Sequence, residues 1–479
     1  MPQLLRRYLT RPTKRGGGRD SSGSVAARVD PVLRRLAGGA LHERPVALRF
    51  WDGSELPAAS RGEAPTVVIR DPAAAAYLIR EPNEVGLGRA WVAGLIDVEG
   101  DLGETLAVRH LLRRVSFTHA DRLRVAMCVS RLVGGQGWRR PPVIASEARP
   151  AGRQHSLGRD RAAVRHHYEL SATFYRLLLG PSMVYSCAYF ATPEESLETA
   201  QARKLELICR KLRLRPGDRM LDIGCGWGSL VIHAALHHGV AAVGVTLSEG
   251  QARAARERAR AAGVASRCEI RVADYRELGQ ESFDAVASVG MYEHVGRSHL
   301  PVYAQTVRDL LAPGGLFLNH GIARLAAVPS RGPTFISTFV FPDGELHPVA
   351  DLAGALHEAG MEVRDLESLR EHYALTLRRW VANLAAHRDA AITEVGAERE
   401  RIYRLYMTGA ADAFERAELS VFQTLATRPG QRHRLPLIRG AAPASVSQVT
   451  TAPTHAPSGH HGSTHGATVP ALRGETHDL

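Results

Sequence analysis

Cysteine is scarce in this 479-residue chain. There are five, Cys128, Cys187, Cys209, Cys225 and Cys268, and no two form a CxxC pair. An odd number at such spacings builds no disulfide framework and offers no zinc motif, so reduced thiols in a cytosol are expected and no metal. No run of 18 apolar residues occurs, which excludes a membrane-spanning helix. The amino terminus, MPQLLRRYLTRPTKRGGGRD, is basic but lacks the apolar stretch of a signal peptide. Aromatic residues amount to only 6%, with no basic–aromatic RNA-binding motif, so nucleic acid is not the expected partner. Acidic residues are outnumbered, leaving a net charge of +12. That excess fits an anionic membrane surface, with well-solvated Arg-rich faces as the bland alternative.

Composition divides the chain. Residues 1–29 are Arg, Gly and Ser with few apolar side chains and read as a disordered basic tail. Residues 30–133 read as a smaller α+β amino-terminal domain, with strands at 45–53 and 65–70 and helical periodicity at 73–79 and 89–93. The basic helical stretches 110–115 and 122–127 suit an anionic interface, hence a lipid-engaging role, although a solvated helix face has the same pattern. Residues 134–160 are Gly-, Pro- and Arg-rich and read as a linker. From 161 to 435 strand and helix alternate, the mark of a doubly wound, Rossmann-like α/β sheet. Residues 436–479, rich in His, Pro, Ser and Thr, read as a second disordered tail; His455, His460, His461, His465 and His477 fall in it.

The α/β region is organised around LDIGCGWG, residues 221–228. An apolar strand ends in Gly224, Gly226 and Gly228 and runs into a helical pattern at 229–238. Glycine lets the backbone turn sharply and approach a ligand, and the helix N-terminus behind offers free N–H groups. The spacing looks like the first motif of class I S-adenosylmethionine (SAM) methyltransferases. Ligands of open α/β sheets bind at the carboxyl ends of the strands, so those edges hold the candidates. The first edge gives Asp222 and the three glycines. The second gives Thr246 and Leu247 where an acid is usual, with Gln251 in reach of ribose hydroxyls; Ser248-x-x-Gln251 is also a capping box. The third gives Asp274, placed for an adenine amino group, and Tyr275, placed to cover the ring.

YSCAYF (185–190), LDIGCGWG, VGVTLSEGQ (243–251), SVGMYEHVG (288–296) and HYALTL (372–377) together resemble the cyclopropane-fatty-acyl-phospholipid synthase family, which includes the mycolic acid cyclopropane synthases. The resemblance implies a class I SAM-methyltransferase fold, with Tyr185 and Ser186 added to the cofactor set. It implies methyl transfer from SAM to the cis double bond of an unsaturated fatty acyl chain, leaving a carbocation that must be deprotonated in a dry pocket. A bicarbonate ion is then expected as proton acceptor, held by Cys187, Glu293, His320, Ile322 and Tyr373, with Glu293 receiving a proton or orienting His320. Tyr185, Tyr189, Phe190 and Tyr292 are the rings available to soften the cation.

The chain departs from the family pattern in three places. Ala410 stands where a cysteine is sometimes singled out. HYELSAT (167–173) replaces the usual HYDVSND, losing a polar contact, and Gly321 replaces a bulkier residue, which would widen the pocket. The implied partners are phospholipid acyl chains at an anionic membrane surface, met from the cytoplasmic side by a peripheral enzyme; a homodimer is compatible. Loss of a proton from the transferred methyl closes a cyclopropane, whereas loss from a neighbouring chain carbon leaves a methylene branch. A small-molecule N- or O-methyltransferase and a non-catalytic lipid- or SAM-binding protein are the alternatives from other classes.

Overall fold

Apolar runs closed by glycine or turn residues form the strands at the centre of the molecule, and the charged, Ala-rich stretches between them form helices. The computed structural model describes residues 23–36, 44–59, 63–81, 83–106, 108–109, 118–133, 143–149, 151–168, 170–325 and 332–438. In chain order the elements are α1 (Val25–Arg35), β1 (Ala47–Arg49), β2 (Glu55–Leu56), β3 (Thr66–Ile69), α2 (Ala74–Arg80), α3 (Glu84–Val92), β4 (Ile96–Glu99), α4 (Leu102–Thr105) and α5 (His119–Val133). There follow α6 (Leu157–Tyr168), α7 (Ala172–Leu179), α8 (Leu197–Lys211), β5 (Arg219–Ile223), α9 (Ser229–His238), β6 (Ala241–Thr246), α10 (Glu249–Ala261), β7 (Cys268–Val272) and β8 (Phe283–Val289). The last are α11 (Leu300–Leu310), β9 (Leu311–Arg324), α12 (Phe335–Phe339), α13 (Val349–Glu358), β10 (Glu362–Ser368), α14 (Arg370–Ala386), α15 (Arg388–Glu415) and β11 (Leu419–Thr427).

Seven strands form the main sheet in the order β10-β11-β9-β8-β5-β6-β7. The run from β9 to β7 is parallel, and β11 pairs antiparallel with both β9 and β10. Asp222 on β5 stands in register with Gly244 on β6 and Ala287 on β8. The chain leaves β5 for β6 on one side and returns to β8 on the other, so a crevice opens at that reversal. One core packs Tyr303, Val307 and Phe317 against Leu221 and Val286. The other gathers Phe174, Tyr175, Trp380 and Tyr403 from α7, α14 and α15.

The amino-terminal part differs from the sequence expectation. Ser24 Oγ accepts from Ala27 N and starts α1 at Val25, so residues 25–29 belong to a helix rather than a tail. A four-stranded sheet, β2-β1-β3-β4, follows. It is no separate domain, because Tyr77 and Trp91 lie in the same core as Phe174 and Trp380, and residues 1–434 cluster as one unit. Trp91 Nε1 donates to Arg401 O at 2.9 Å, and the Arg401 guanidinium lies 4.2 Å from the Trp91 ring. That guanidinium also donates to the carbonyls of Trp91 and Ile96 and sits 3.4 Å from Asp97.

The expected linker is packed where it is described. Ile144 is buried, Ser146 Oγ donates to Glu398 Oε2 at 2.8 Å, and Ala148 N donates to Thr338 O at 2.9 Å. The catalytic region also begins earlier than 161, since α6 starts at Leu157. Residues 1–22, 110–117, 134–142 and 439–479, to which tail, interface and linker roles were assigned, lie outside the described residues.

Arg401→Ala strands two carbonyls and Asp97 in the interior and is expected to cost about 3 kcal/mol. Urea unfolding followed by fluorescence and circular dichroism should stay a single transition in the parent chain. Two resolved transitions would show the amino-terminal sheet to fold on its own.

Candidate active site

The crevice lies outside the carboxyl ends of β5 to β8, and all the expected cofactor residues but one line it. Gly226 has φ of 53°, and a Cβ there would point into open space, its only near neighbour being Gln251 Nε2 at 4.0 Å. Gly224 has φ of 79° and would bring a Cβ to 3.0 Å from Met291. Gly228 is the exception. Its Cβ would come within 2.9 Å of the Ala255 Cβ, so it lets α9 start close against α10 and is absent from the lining.

Beneath the glycine loop lies a buried polar group that sequence reading missed. Lys204 on α8 is 2% exposed, and its ammonium donates to Ser186 Oγ at 2.9 Å. Burial pushes it down to about 8, against the pull of Cys187 and Asp222. Gln201, one turn earlier, donates to Ser186 O at 2.9 Å. Asp222 is buried, its Oδ1 has no hydrogen-bond partner, and desolvation lifts its carboxyl to about 7 despite Lys204. The available signal was position, since Gln201 and Lys204 fall on the helix stripe formed by Leu197, Ala200, Leu205 and Ile208.

On the second edge, Thr246 Oγ1 donates to Gln251 Oε1 at 2.8 Å, which turns the amide nitrogen toward the glycine loop. Leu247 lines the pocket beside them. The capping box is half made: Ser248 Oγ accepts from Gln251 N, but the Gln251 side chain bonds to Thr246 instead. On the third edge, both Asp274 oxygens accept from Arg276, at 2.8 and 2.7 Å, and Arg276 reaches on to Asp160 at 3.0 Å. A carboxylate has lone pairs for one more donor, so adenine recognition is compatible with this clamp. Tyr275 meets the Tyr303 ring edge-on at 5.8 Å and has the Arg276 guanidinium 5.6 Å from its centroid.

Next to this crevice lies an apolar, aromatic enclosure. Tyr185 stacks on His167 at 5.6 Å, pairs its hydroxyl with His167 Nε2 at 3.2 Å and meets Trp380 at 5.3 Å. YSCAYF lies in an irregular segment between α7 and α8, shortly after Met183 with its φ of 53°. Cys187 is fully buried with Sγ toward Ala188 O and Leu369 O at 3.1 and 3.7 Å. Burial raises its pKa, so it is held as the thiol. Tyr373 on α14 shares this core, and burial holds its hydroxyl well above the ordinary pKa.

Glu293 sits on the single turn Tyr292–His294 after β8. Its Oε1 accepts from Ile322 N at 2.7 Å, and its Oε2 is buried without a partner. Desolvation lifts this carboxyl to about 7. The Ile322 N–H is thus engaged by Glu293 and is not a spare oxyanion donor. His320 lies two residues away on the same face of β9. Its Nδ1 faces Gln423 Nε2 at 3.1 Å, and its Nε2 is buried and unpartnered. Gln423, not Glu293, therefore orients the ring. Its amide nitrogen can only donate, which leaves the ring proton on Nε2. Burial and the charges of Lys204 and Lys211 hold this imidazole far below its ordinary pKa, hence neutral.

Two further expectations fail. Tyr292 packs in the core on the opposite side of the sheet, with His347, and is no part of the enclosure. Gly321 does not widen the pocket, because its missing Cβ makes room for the Tyr292 ring, 2.8 Å from where that atom would be. Tyr189 lies tilted against His372 at 4.7 Å and Phe190 joins the core. Ala410 is partly buried against that core, and Glu169 lies outside the described residues.

The chain is similar to several known proteins. A "Probable fatty acid methyltransferase" of Pseudomonas putida is 36% identical over 431 residues, covering 87% of this chain and 99% of its own length. The cyclopropane-fatty-acyl-phospholipid synthase of Escherichia coli is 35% identical over 264 residues, covering 55% of this chain and 67% of its own. The solved mycolic acid cyclopropane synthase CmaA1, complexed with SAH and CTAB, superposes with a TM-score of 0.53 at 33% identity, covering 56% of this chain and 98% of that one. The mycolic acid cyclopropane synthetase family profile matches residues 155–424. With the sheet order, the glycine loop and the Glu293–Ile322 pair in place, the chain belongs to that family of SAM-dependent methyltransferases.

Proposed function

We propose that this enzyme transfers a methyl group from SAM to the cis double bond of an unsaturated phospholipid acyl chain and closes a cyclopropane. The observation that carries the proposal is Glu293 Oε2, an unpartnered carboxylate oxygen buried among tyrosines beside the cofactor crevice. A carbocation on an acyl chain needs water kept away and a base held near, and an enclosure of Tyr168, Tyr185, Tyr406 and Trp380 around one raised carboxyl answers both needs.

SAM, when bound, supplies the electrophilic methyl carbon. Around it Gly226 leaves the space, Gln251 offers an N–H, Ser186 is held by Lys204, and Asp222 presents a bare carboxylate oxygen. Bicarbonate would supply a proton acceptor, and Glu293 Oε2, the Nε2–H of His320 and the Tyr373 hydroxyl are the groups that would hold it. The neutral His320 adds a donor without adding charge. Ionised, Glu293 takes the proton on from bicarbonate, and a carboxyl lifted to about 7 is basic enough for that relay. Cys187 stays a wall residue.

The acyl chain would reach the site from an anionic membrane surface. On α5, Leu123 and Met127 are exposed, one turn apart, and Arg124 and Arg131 lie on the same helix. In a second reading the proton leaves a neighbouring carbon, and a methylene branch results from the same first step.

Purified enzyme with SAM and vesicles of unsaturated anionic phospholipid should release S-adenosylhomocysteine, and proton NMR of the lipid should show cyclopropane rather than vinylidene signals. No release would overturn the catalytic reading. Gly226→Val should abolish SAM binding by calorimetry with the fold intact. The kcat/KM should rise with pH through about 7 as Glu293 ionises, and Glu293→Gln should lose that limb and about 100-fold in turnover. Stability runs the other way. The folded pKa lies above the ordinary 4.5, so the contribution is full below 4.5 and is lost as pH rises through about 7. Glu293→Gln is therefore the more stable protein at pH 8.

A further inference from the structure

Behind the cofactor crevice, helix packing assembles a group of side chains that methyl transfer does not use. α8 and α9 bring Cys209, His233 and His238 together, with one ligand atom of each within 4.8 Å of the other two. Glu206, one turn before Cys209 on α8, joins them. Its Oε2 lies 3.3 Å from His233 Nε2 and 3.0 Å from His238 Nε2. Ligand atoms placed about 2 Å from a tetrahedral zinc ion stand about 3.3 Å from one another. The carboxylate therefore already stands at ligand spacing from both imidazoles, and a buried sulfur lies within 4.8 Å of a nitrogen of each ring.

We infer that Cys209, His233, His238 and Glu206 form a binding site for zinc or a similar borderline-soft divalent cation such as cobalt(II). A hydrogen-bonded carboxylate between two imidazoles accounts for three of these residues without an ion. It leaves the convergence of the buried thiol unexplained. The thiol would give up its proton to solvent on coordination, so sulfur binds as thiolate and one proton is released per ion. Arg210 pairs with Glu206 Oε1 at 3.2 Å and leaves Oε2 to face the histidines. The partly exposed Glu206, His233 and His238 give the ion a way in from water. The absence of CxxC pairs spoke only against ligands adjacent in sequence; these come from two helices.

The bound ion would tie α8 to α9. α8 holds Ser186 through Gln201 and Lys204, and α9 continues from the glycine loop. The site would thus brace the rear wall of the cofactor pocket without touching the cofactor.

The full chain, freed of metal with a chelator and titrated with cobalt(II), should develop a sulfur-to-cobalt charge-transfer band that saturates at one equivalent. The histidines of 439–479 cannot produce that band, because this segment contains no cysteine. The band should vanish in Cys209→Ala and require at least tenfold more cobalt in His238→Gln. Zinc should displace it and raise the melting temperature of the parent chain but not of Cys209→Ala. A chain that folds and binds SAM yet shows no band would overturn the site, as would a band that survives Cys209→Ala. If Cys209→Ala does not fold, an unchanged cobalt affinity in His238→Gln is the overturning result.

Discussion

The hydrogen bond from the Ile322 amide to Glu293 Oε1, at 2.7 Å, is the contact on which the proposed chemistry depends. It joins the turn after β8 to the carboxyl end of β9, and it satisfies one carboxylate oxygen while leaving the other bare. A carboxylate in that position is costly to ionise, and the surroundings keep it so: Tyr168, Tyr373 and Tyr406 are all buried deeply enough for their hydroxyls to resist ionisation. Loosening the bond would let water solvate Glu293 and return it to an ordinary surface acid.

The cofactor side follows a different logic. There polar atoms are paired in relays: Thr246 sets Gln251, Lys204 sets Ser186, and Arg276 sets Asp274. Each relay turns a group with several orientations into one with a single orientation, so that recognition does not require reordering at the moment of binding. The two halves meet at Tyr185, which lines the cofactor crevice and also stacks in the aromatic enclosure.

Much of this was legible in the sequence because it is local. β5, α9 and β7 follow from apolar runs and glycine punctuation, and Cys268–Val272 begins and ends where its pattern does. The glycine loop, Gln251 and Asp274 sit at strand ends, where position alone identifies them. What was not legible depends on distant pairings. That Gln423 rather than Glu293 holds His320 follows from β11 lying antiparallel to β9, with Gln423 opposite His320. That Tyr292 faces away from the enclosure follows from the single turn it occupies and from the space at Gly321. That Gly228 serves packing follows from Ala255 on the next helix. The amino-terminal boundary was misplaced for the same reason, since Trp91 and Arg401 are far apart in sequence and no local pattern announces their contact.

That contact bears on how the polypeptide can be shortened. The family match begins at residue 155, yet the indole of Trp91 fills a socket walled by α15 and caps the guanidinium of Arg401. A fragment trimmed to the match would carry an empty indole-sized notch with a stranded positive charge at its mouth, open to other molecules. Trp91 and the rest of α3 act as a plug for the methyltransferase portion, and their removal would be felt first as clumping.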